Sequence, residues 1–363
     1  MASKQTYTDY ANAATQTLVQ NWFPPSGPST WIQTYQDFWH VPNVVTALTR
    51  LSKLTGTWNY ESTADNAQQM FNNYFYPQQG LPSYYDDECW WGDLFNRLYS
   101  LTGASQWNTA ANQVFVDLQG GWDDAAKGGV WWKRNPKSYP GNNKGSIENE
   151  LYMAIAMALY NAPPSDTAPG VYLSATTQTL QWLGNLIDKT GMVWGNLDQN
   201  GNINPSNVPR PYTQGVILGA LWDLFQQSDL TSYLDTAQQI ADAAIANMVW
   251  PNGILQDNCE KIGNCGNDQD PILFKGIYAR CLGEFAVNLA TLSDPARVQA
   301  AQRYTAFLQQ NADAVWANYP GGTFGMDWHT PSPNYQPTGV PVYDGSLQSQ
   351  ALDLFVSAAI VST

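Results

Sequence analysis

Apolar residues recur along most of this chain at the three- and four-residue spacing of one helix face, whereas the alternation of a half-buried strand is hard to find. The spacing predicts about twelve helices, over roughly 6–21, 41–55, 60–76, 87–102, 105–119, 146–161, 171–188, 212–227, 231–248, 271–290, 295–315 and 346–360. The intervals between them are rich in Pro, Gly, Asn and Asp. Examples are Pro77-Gln78-Gln79-Gly80-Leu81-Pro82, Asn161-Ala162-Pro163-Pro164-Ser165-Asp166 and Pro251-Asn252-Gly253, so each helix has a chemical reason to stop. Two helices close alike, on Leu54-Thr55-Gly56 and Leu101-Thr102-Gly103. The pairs Tyr60/Ala64, Trp107/Ala111 and Tyr233/Ala237 put an aromatic and a small residue on one face, which lets a neighbouring helix approach.

Twelve helices make six hairpins, and hairpins stacked side by side bury a continuous core. We read an all-α (α/α)6 barrel with a substrate groove at one end; an open solenoid is the alternative that periodicity leaves standing. Trp and Tyr concentrate between the hairpins, which fits a groove at one mouth. No Pro-rich or Gly/Ser-rich linker divides the chain, so residues 1–363 read as a single domain.

Composition narrows the chemistry. The chain has 16 Trp and 20 Tyr among 363 residues, more than core filling demands. Flat apolar rings beside abundant Asn, Gln, Ser and Thr suit contacts with sugars. The net charge of −14 and isoelectric point of about 4.3 set the average surface against a phosphate backbone, so no nucleic-acid partner is expected. No apolar run reaches the roughly 20 residues needed to span a bilayer, so no membrane partner is expected either. The start, Met1-Ala2-Ser3-Lys4, carries no apolar signal segment. Cys259 and Cys265 lie in a polar, Gly-containing loop where a disulfide fits an oxidising compartment. Cys89 and Cys281 fall in helical patterns and read as buried free thiols. The cysteine spacing matches no zinc finger, and only His40 and His329 could assist, so no metal is expected.

Two acidic pairs compete for the chemistry. Asp86 and Asp87 stand in Tyr84-Tyr85-Asp86-Asp87-Glu88-Cys89-Trp90-Trp91 at a helix start; Asp123 and Asp124 stand in Gly120-Gly121-Trp122-Asp123-Asp124, before Gly128-Gly129-Val130-Trp131-Trp132. Paired carboxyls flanked by aromatics are what glycoside hydrolysis needs, and neighbouring residues suit the separation of about 5–5.5 Å used by retaining enzymes. One aspartate would stay ionised on the helix amides and attack. The other, near the indoles, would be raised in pKa and protonate the leaving oxygen. Helix capping is the competing reading for the first pair and an Asx turn for the second. Of Trp90-Trp91 and Trp131-Trp132, one ring each is expected in the core and one in the groove. Lys144, Asn149, Gln214 and Lys275 sit among apolar or small residues as candidate substrate contacts or solvated side chains, and His40, beside Trp39, as a substrate contact or a cap. The chain has no Gly-x-x-x-x-Gly-Lys-Ser/Thr, His-Glu-x-x-His or Gly-x-Ser-x-Gly motif.

In chain order, several blocks resemble glycoside hydrolase family 76, the endo-α-1,6-mannanases. They are Asp86-Asp87-Glu88-Cys89-Trp90-Trp91 with Leu98-Tyr99-Ser100-Leu101-Thr102-Gly103; Trp122-Asp123-Asp124 with Lys144-Gly145-Ser146-Ile147-Glu148-Asn149; Tyr212-Thr213-Gln214-Gly215; Phe274-Lys275-Gly276-Ile277-Tyr278; and Phe324-Gly325-Met326-Asp327-Trp328 with Ser346-Leu347-Gln348-Ser349-Gln350. The resemblance implies an (α/α)6 barrel and retaining hydrolysis of α-1,6-mannan or manno-oligosaccharides without a cofactor. It makes Asp86 the nucleophile and Asp87 the general acid/base; Tyr85, Trp90, Asp123, Asp124, Trp131, Asn149, Gln214 and Lys275 are expected as substrate contacts. A secreted, extracellular monomer is the expectation. The chain departs from the family at Gly145 and Glu148, where members more often carry Asn and Ser. The alternatives are a transglycosidase of the same family and a non-catalytic mannan-binding protein.

Overall fold

The computed structural model describes residues 2–24, 38–75, 83–135, 137–165, 167–265, 270–330 and 344–362. Thirteen α-helices lie among them: α1 (Lys4–Asn21), α2 (His40–Thr55), α3 (Glu61–Phe75), α4 (Tyr85–Thr102), α5 (Ser105–Gln119), α6 (Ser146–Asn161), α7 (Gly170–Leu183), α8 (Pro211–Ser228), α9 (Thr231–Asn247), α10 (Asn258–Ile262), α11 (Pro271–Ala290), α12 (Pro295–Asn318) and α13 (Gly345–Ile360). The twelve long ones are those that the apolar periodicity predicts. The added helix, α10, has five residues and is too short to carry a periodic signal. The turn read over 77–82 lies outside the described residues.

Two rings account for the packing. Helices α2, α4, α6, α8, α11 and α13 each pack on the next, and α13 packs back on α2, so the inner ring closes. Closure excludes the open solenoid: the fold is an (α/α)6 barrel. The outer helices α3, α5, α7, α9 and α12 each pack on the inner helix before them in the chain, and α1 packs on α13. The two rings are also told apart by burial. In α13 the residues Ser346 to Ala359 are all buried, whereas α5 buries one face through Trp107, Ala111, Val114, Phe115 and Leu118. Gly276 permits one of these close approaches, since a Cβ there would stand 2.7 Å from the Gln350 Cα of α13.

Inner and outer helices alternate in the chain, so all inner helices run the same way and begin at one mouth. Leu-Thr-Gly closes α2 and α4 because Gly56 and Gly103 adopt left-handed φ values of 71° and 70° that a side chain would strain. At the starting mouth the loops before α4, α6, α8, α11 and α13 converge. A two-stranded antiparallel pair, β1 (Lys144–Gly145) and β2 (Asn196–Leu197), ties two of these loops together. Cys259 and Cys265 form a disulfide across α10, and Cys89 and Cys281 are free and buried. None of the described helices is long and apolar enough to cross a membrane.

Candidate active site

Helix α4 begins at the mouth, with Tyr84 extended just before it and Asp86, Asp87 and Glu88 in its first turn. Acids are favoured there by the unpaired amides and the helix dipole. A seam of backbone hydrogen bonds fastens this start to the loop before α6: Tyr85 N donates to Trp132 O at 2.8 Å and Arg134 N to Ser83 O at 3.0 Å. Behind the seam, Arg134 pairs with buried Glu88 and with Asp117, and its guanidinium lies 4.3 Å over the Tyr85 ring.

The seam carries the Trp132 indole to the acids. Trp132 Nε1 donates to Asp86 Oδ2 at 3.0 Å, and the Asp87 amide donates to Asp86 Oδ1 at 3.0 Å. Burial raises the Asp86 carboxyl to about 6, and these two donors hold it from rising further. Asp87 receives no such help. Burial, then the charges of Asp86 and Asp270, push it well above the usual carboxylate range. The pair is therefore asymmetric: two donors favour charge on Asp86, whereas burial and the neighbouring carboxylates favour the proton on Asp87. The Trp132 N–H, which the sequence-based selection did not consider, supports charge on Asp86.

Both aspartates open into a pocket of about 240 Å³. Asp270 and the aromatic rings of Trp39, Tyr84, Trp90, Trp132, Tyr212 and Phe274 complete its walls among the described residues. Tyr212 and Phe274 stack at 3.8 Å between centroids, and Trp39 lies 5.7 Å from Trp90. Asp270 sits at the start of α11, where its Oδ1 accepts from Trp39 Nε1 at 2.8 Å. His40 stands behind it, with Nε2 4.0 Å from Asp270 and Nδ1 3.0 Å from Ser346 Oγ. A carboxylate pair differing in proton affinity, walled by flat apolar rings, can bind a sugar and pass a proton to or from it.

Of the ten site residues expected from the sequence, the structure brings Asp86, Asp87 and Trp90 into this pocket. The others lie outside its walls. Tyr85 is buried under Arg134. Asp123 binds Lys144 Nζ at 2.6 Å and Trp131 Nε1 at 2.7 Å, so the second acidic pair braces a loop, and Asp124 faces outward from it. Trp131 is a core residue. Asn149 exchanges hydrogen bonds with the backbone N–H and C=O of Val130, and Gln214 does the same with Val193. Lys275 is fully buried, donating to Glu260 Oε1 at 2.8 Å and Met326 O at 2.6 Å. Their polar atoms are spent on the loops that shape the mouth. The wall residues that the sequence-based selection omits include Asp270, Trp39, Tyr212 and Phe274. Asp270-Pro271 carries the signal of a helix start, and once the inner helices run parallel every such start belongs to the mouth.

Comparison with known proteins adds to this geometry. Residues 4–361 match the model of glycosyl hydrolase family 76. A search of curated proteins finds no match. Among solved structures, the chain is similar to the GH76A α-1,6-mannanase of Salegentibacter sp. HEL1_6, at 22% identity, a TM-score of 0.79 and coverage of 98% of this chain and 99% of that one. An inactive variant of that enzyme, with two adjacent aspartates changed to asparagine and α-1,6-mannotriose bound, matches with the same figures. Dfg5 from Chaetomium thermophilum, in complex with glucosamine, matches at 16% identity and a TM-score of 0.72, over 99% of this chain and 92% of that one. With the family model spanning nearly every residue, the chain belongs to glycosyl hydrolase family 76.

Proposed function

We propose that this protein is a retaining endo-α-1,6-mannanase in which Asp86 is the nucleophile and Asp87 the general acid/base. The observation that carries the reading is the asymmetry of the pair: Asp86 takes two hydrogen bonds that favour its charge, whereas Asp87 is desolvated and faces two other carboxylates. Asp86 Oδ would attack the anomeric carbon as Asp87 gives its proton to the departing glycosidic oxygen, leaving a glycosyl ester on Asp86. Asp87, now ionised, would take a proton from water, whose oxygen displaces Asp86 and restores the original anomer. The inactive double-asparagine variant of the Salegentibacter enzyme bound to α-1,6-mannotriose supports both the pair and the substrate class. The Cys259–Cys265 disulfide supports an extracellular setting.

Digestion of unbranched α-1,6-mannan, followed by mass analysis and anomeric NMR, tests this reading. The expected result is internal cleavage with the α-anomer appearing first. Asp86→Asn and Asp87→Asn should each lower turnover by at least about a hundredfold, the scale of lost proton transfer or attack, with the fold retained. Near-parental rates in either variant, or a β-anomer released first, would overturn the assignment. Longer mannosides in excess acceptor would move it to a transglycosidase, and binding without product to a non-catalytic protein.

A further inference from the structure

Beside the reaction pocket lies a second hollow of about 660 Å³, between the chain at 132–143 and that at 196–204. Among the described residues the two hollows share Trp132 alone. The larger one is lined chiefly by carboxamides, including Asn143, Asn196 and Asn204, with the Tyr139 and Trp132 rings beside them. A carboxamide donates and accepts at once, as a sugar hydroxyl does, and the rings offer the apolar surface that a sugar's C–H face covers.

Two of these amides are held ready for a ligand. Asn196 is 5% exposed, yet among the described residues its Oδ1 has no hydrogen-bond partner, a state that costs stability unless something supplies the missing donor. Among the described residues the half-buried Asn143 side chain makes no hydrogen bond, whereas its backbone is fixed by Trp132 N and Asn142 Oδ1. The surrounding backbone is braced. Gly145 pairs with Asn196 in the β1–β2 ladder, Tyr139 Oη donates to Leu197 O at 3.2 Å, and Asn142 bonds both the N–H and C=O of Lys133. A site built this way loses little freedom on binding. The lining charges oppose each other and are engaged: Asp198 accepts the Asn200 and Asn202 amides, and Lys133 Nζ stands 4.8 Å over the Trp132 ring. Nothing here favours an anion over a neutral ligand.

We propose that this cleft is an accessory subsite for a neutral hexose, specifically a mannosyl side branch carried beside the linkage being cut. The inference rests on the mannanase reading above. A backbone threading onward from the reaction pocket would need a floor shared by both hollows. Among the described residues they meet across one indole, whose N–H is committed to Asp86, so a sugar in the cleft lies to the side of the reacting unit. Through Trp132 that sugar would steady the group that supports the nucleophile's charge.

The test compares a linear α-1,6-mannohexaose with the same oligomer bearing one mannosyl branch, using the parent protein and the Asn143→Ala/Asn196→Ala variant. Two neutral hydrogen bonds lost from the ligand should lower kcat/KM on the branched oligomer by about tenfold, while the linear rate stays within about twofold. Equal losses on both oligomers would make the cleft a backbone subsite and overturn the proposal, as would no loss on either. Calorimetric titration of both oligomers into protein carrying Asp86→Asn and Asp87→Asn, with and without the two alanines, reads the cleft without turnover. A parent protein that cleaves neither oligomer but binds the branched one more tightly, through these asparagines, would sink the mannanase reading and leave the cleft assignment standing.

Discussion

At the scale of single residues, the division of labour between Asp86 and Asp87 comes down to who donates to whom. One indole N–H and one amide support charge on Asp86, and no donor supports it on Asp87. A hydrogen bond to a charged acceptor is worth about 1.5–3 kcal/mol, and one pH unit is about 1.4 kcal/mol. Trp132→Phe keeps the ring and removes the donor, so the Asp86 carboxyl should rise from about 6 by roughly one unit. The proposed mechanism needs Asp86 ionised, so the acid limb of the kcat/KM profile should move to higher pH by that amount; an unmoved limb would show that the bond does not set the charge on Asp86. The acids were legible in the sequence because aromatics crowd them at a helix start. Trp132 as the donor was not, since it lies 46 residues away and reaches Asp86 only through the seam between Tyr85 and the loop before α6.

At the scale of elements, the loops at the mouth are held by a repeated device. A carboxamide near the start of a helix bonds the backbone of a turn that contains a left-handed glycine: Asn149 on Val130 after Gly129, Gln214 on Val193 after Gly191, and Gln348 on Phe324 after Gly322. Asn149 and Gln214 read as substrate contacts in the sequence because a buried polar residue in an apolar helix is equally what a binding site and a loop anchor require. Helix boundaries were more legible, since Gly, Pro and Asp at the caps act locally. Lys275 shows what the anchoring is worth. Its ammonium joins α11 to Glu260 of α10 and to the loop at Met326, 4.6 Å over the Trp328 ring. Lys275→Met leaves Glu260 buried without its cation and should cost about 3–5 kcal/mol in denaturant unfolding. Adding Glu260→Gln should recover much of that loss. With Lys275 outside the pocket walls, kcat/KM of the folded fraction should stay near the parental value. A selective rise in KM would instead return Lys275 to the substrate.

At the scale of the whole molecule, closing six hairpins into a ring buries acids that no single helix reveals, and the sum of their proton affinities shapes stability. Burial raises Asp86 and Asp223 to about 6, Glu260 to about 7 and Glu148 to about 8, with the charge of Asp86 adding to the rise at Glu148. Glu284 goes the other way, to about 2, because Arg97 and Arg50 outweigh its desolvation. A carboxyl whose folded pKa exceeds its unfolded value binds its proton more tightly when folded. Its contribution is complete below the unfolded pKa of about 4 and is lost as pH climbs through the folded one, at about 1.4 kcal/mol per pH unit for each group. Glu284 contributes above its unfolded pKa and loses that contribution as pH falls toward 2. The two trends cross, so Tm should peak near pH 4–5 and decline on the way to pH 8. Glu148 contributes to the upper part of that decline, beside Asp87, Glu88 and Glu150, which burial also raises. Its Oε1 accepts the Gly145 amide, its Oε2 is buried without a partner, and Gly145 leaves room for the carboxyl because a Cβ there would stand 2.7 Å from Oε2. Glu148→Gln keeps the acceptor and removes the titration, so the fall in Tm between pH 6 and 8 should shrink by a few degrees, measured by calorimetry at fixed ionic strength. If Tm instead rises from pH 5 to 8, or the glutamine variant follows the parent, these carboxyls are not protonated inside the barrel and the assignment of charge between Asp86 and Asp87 fails with them.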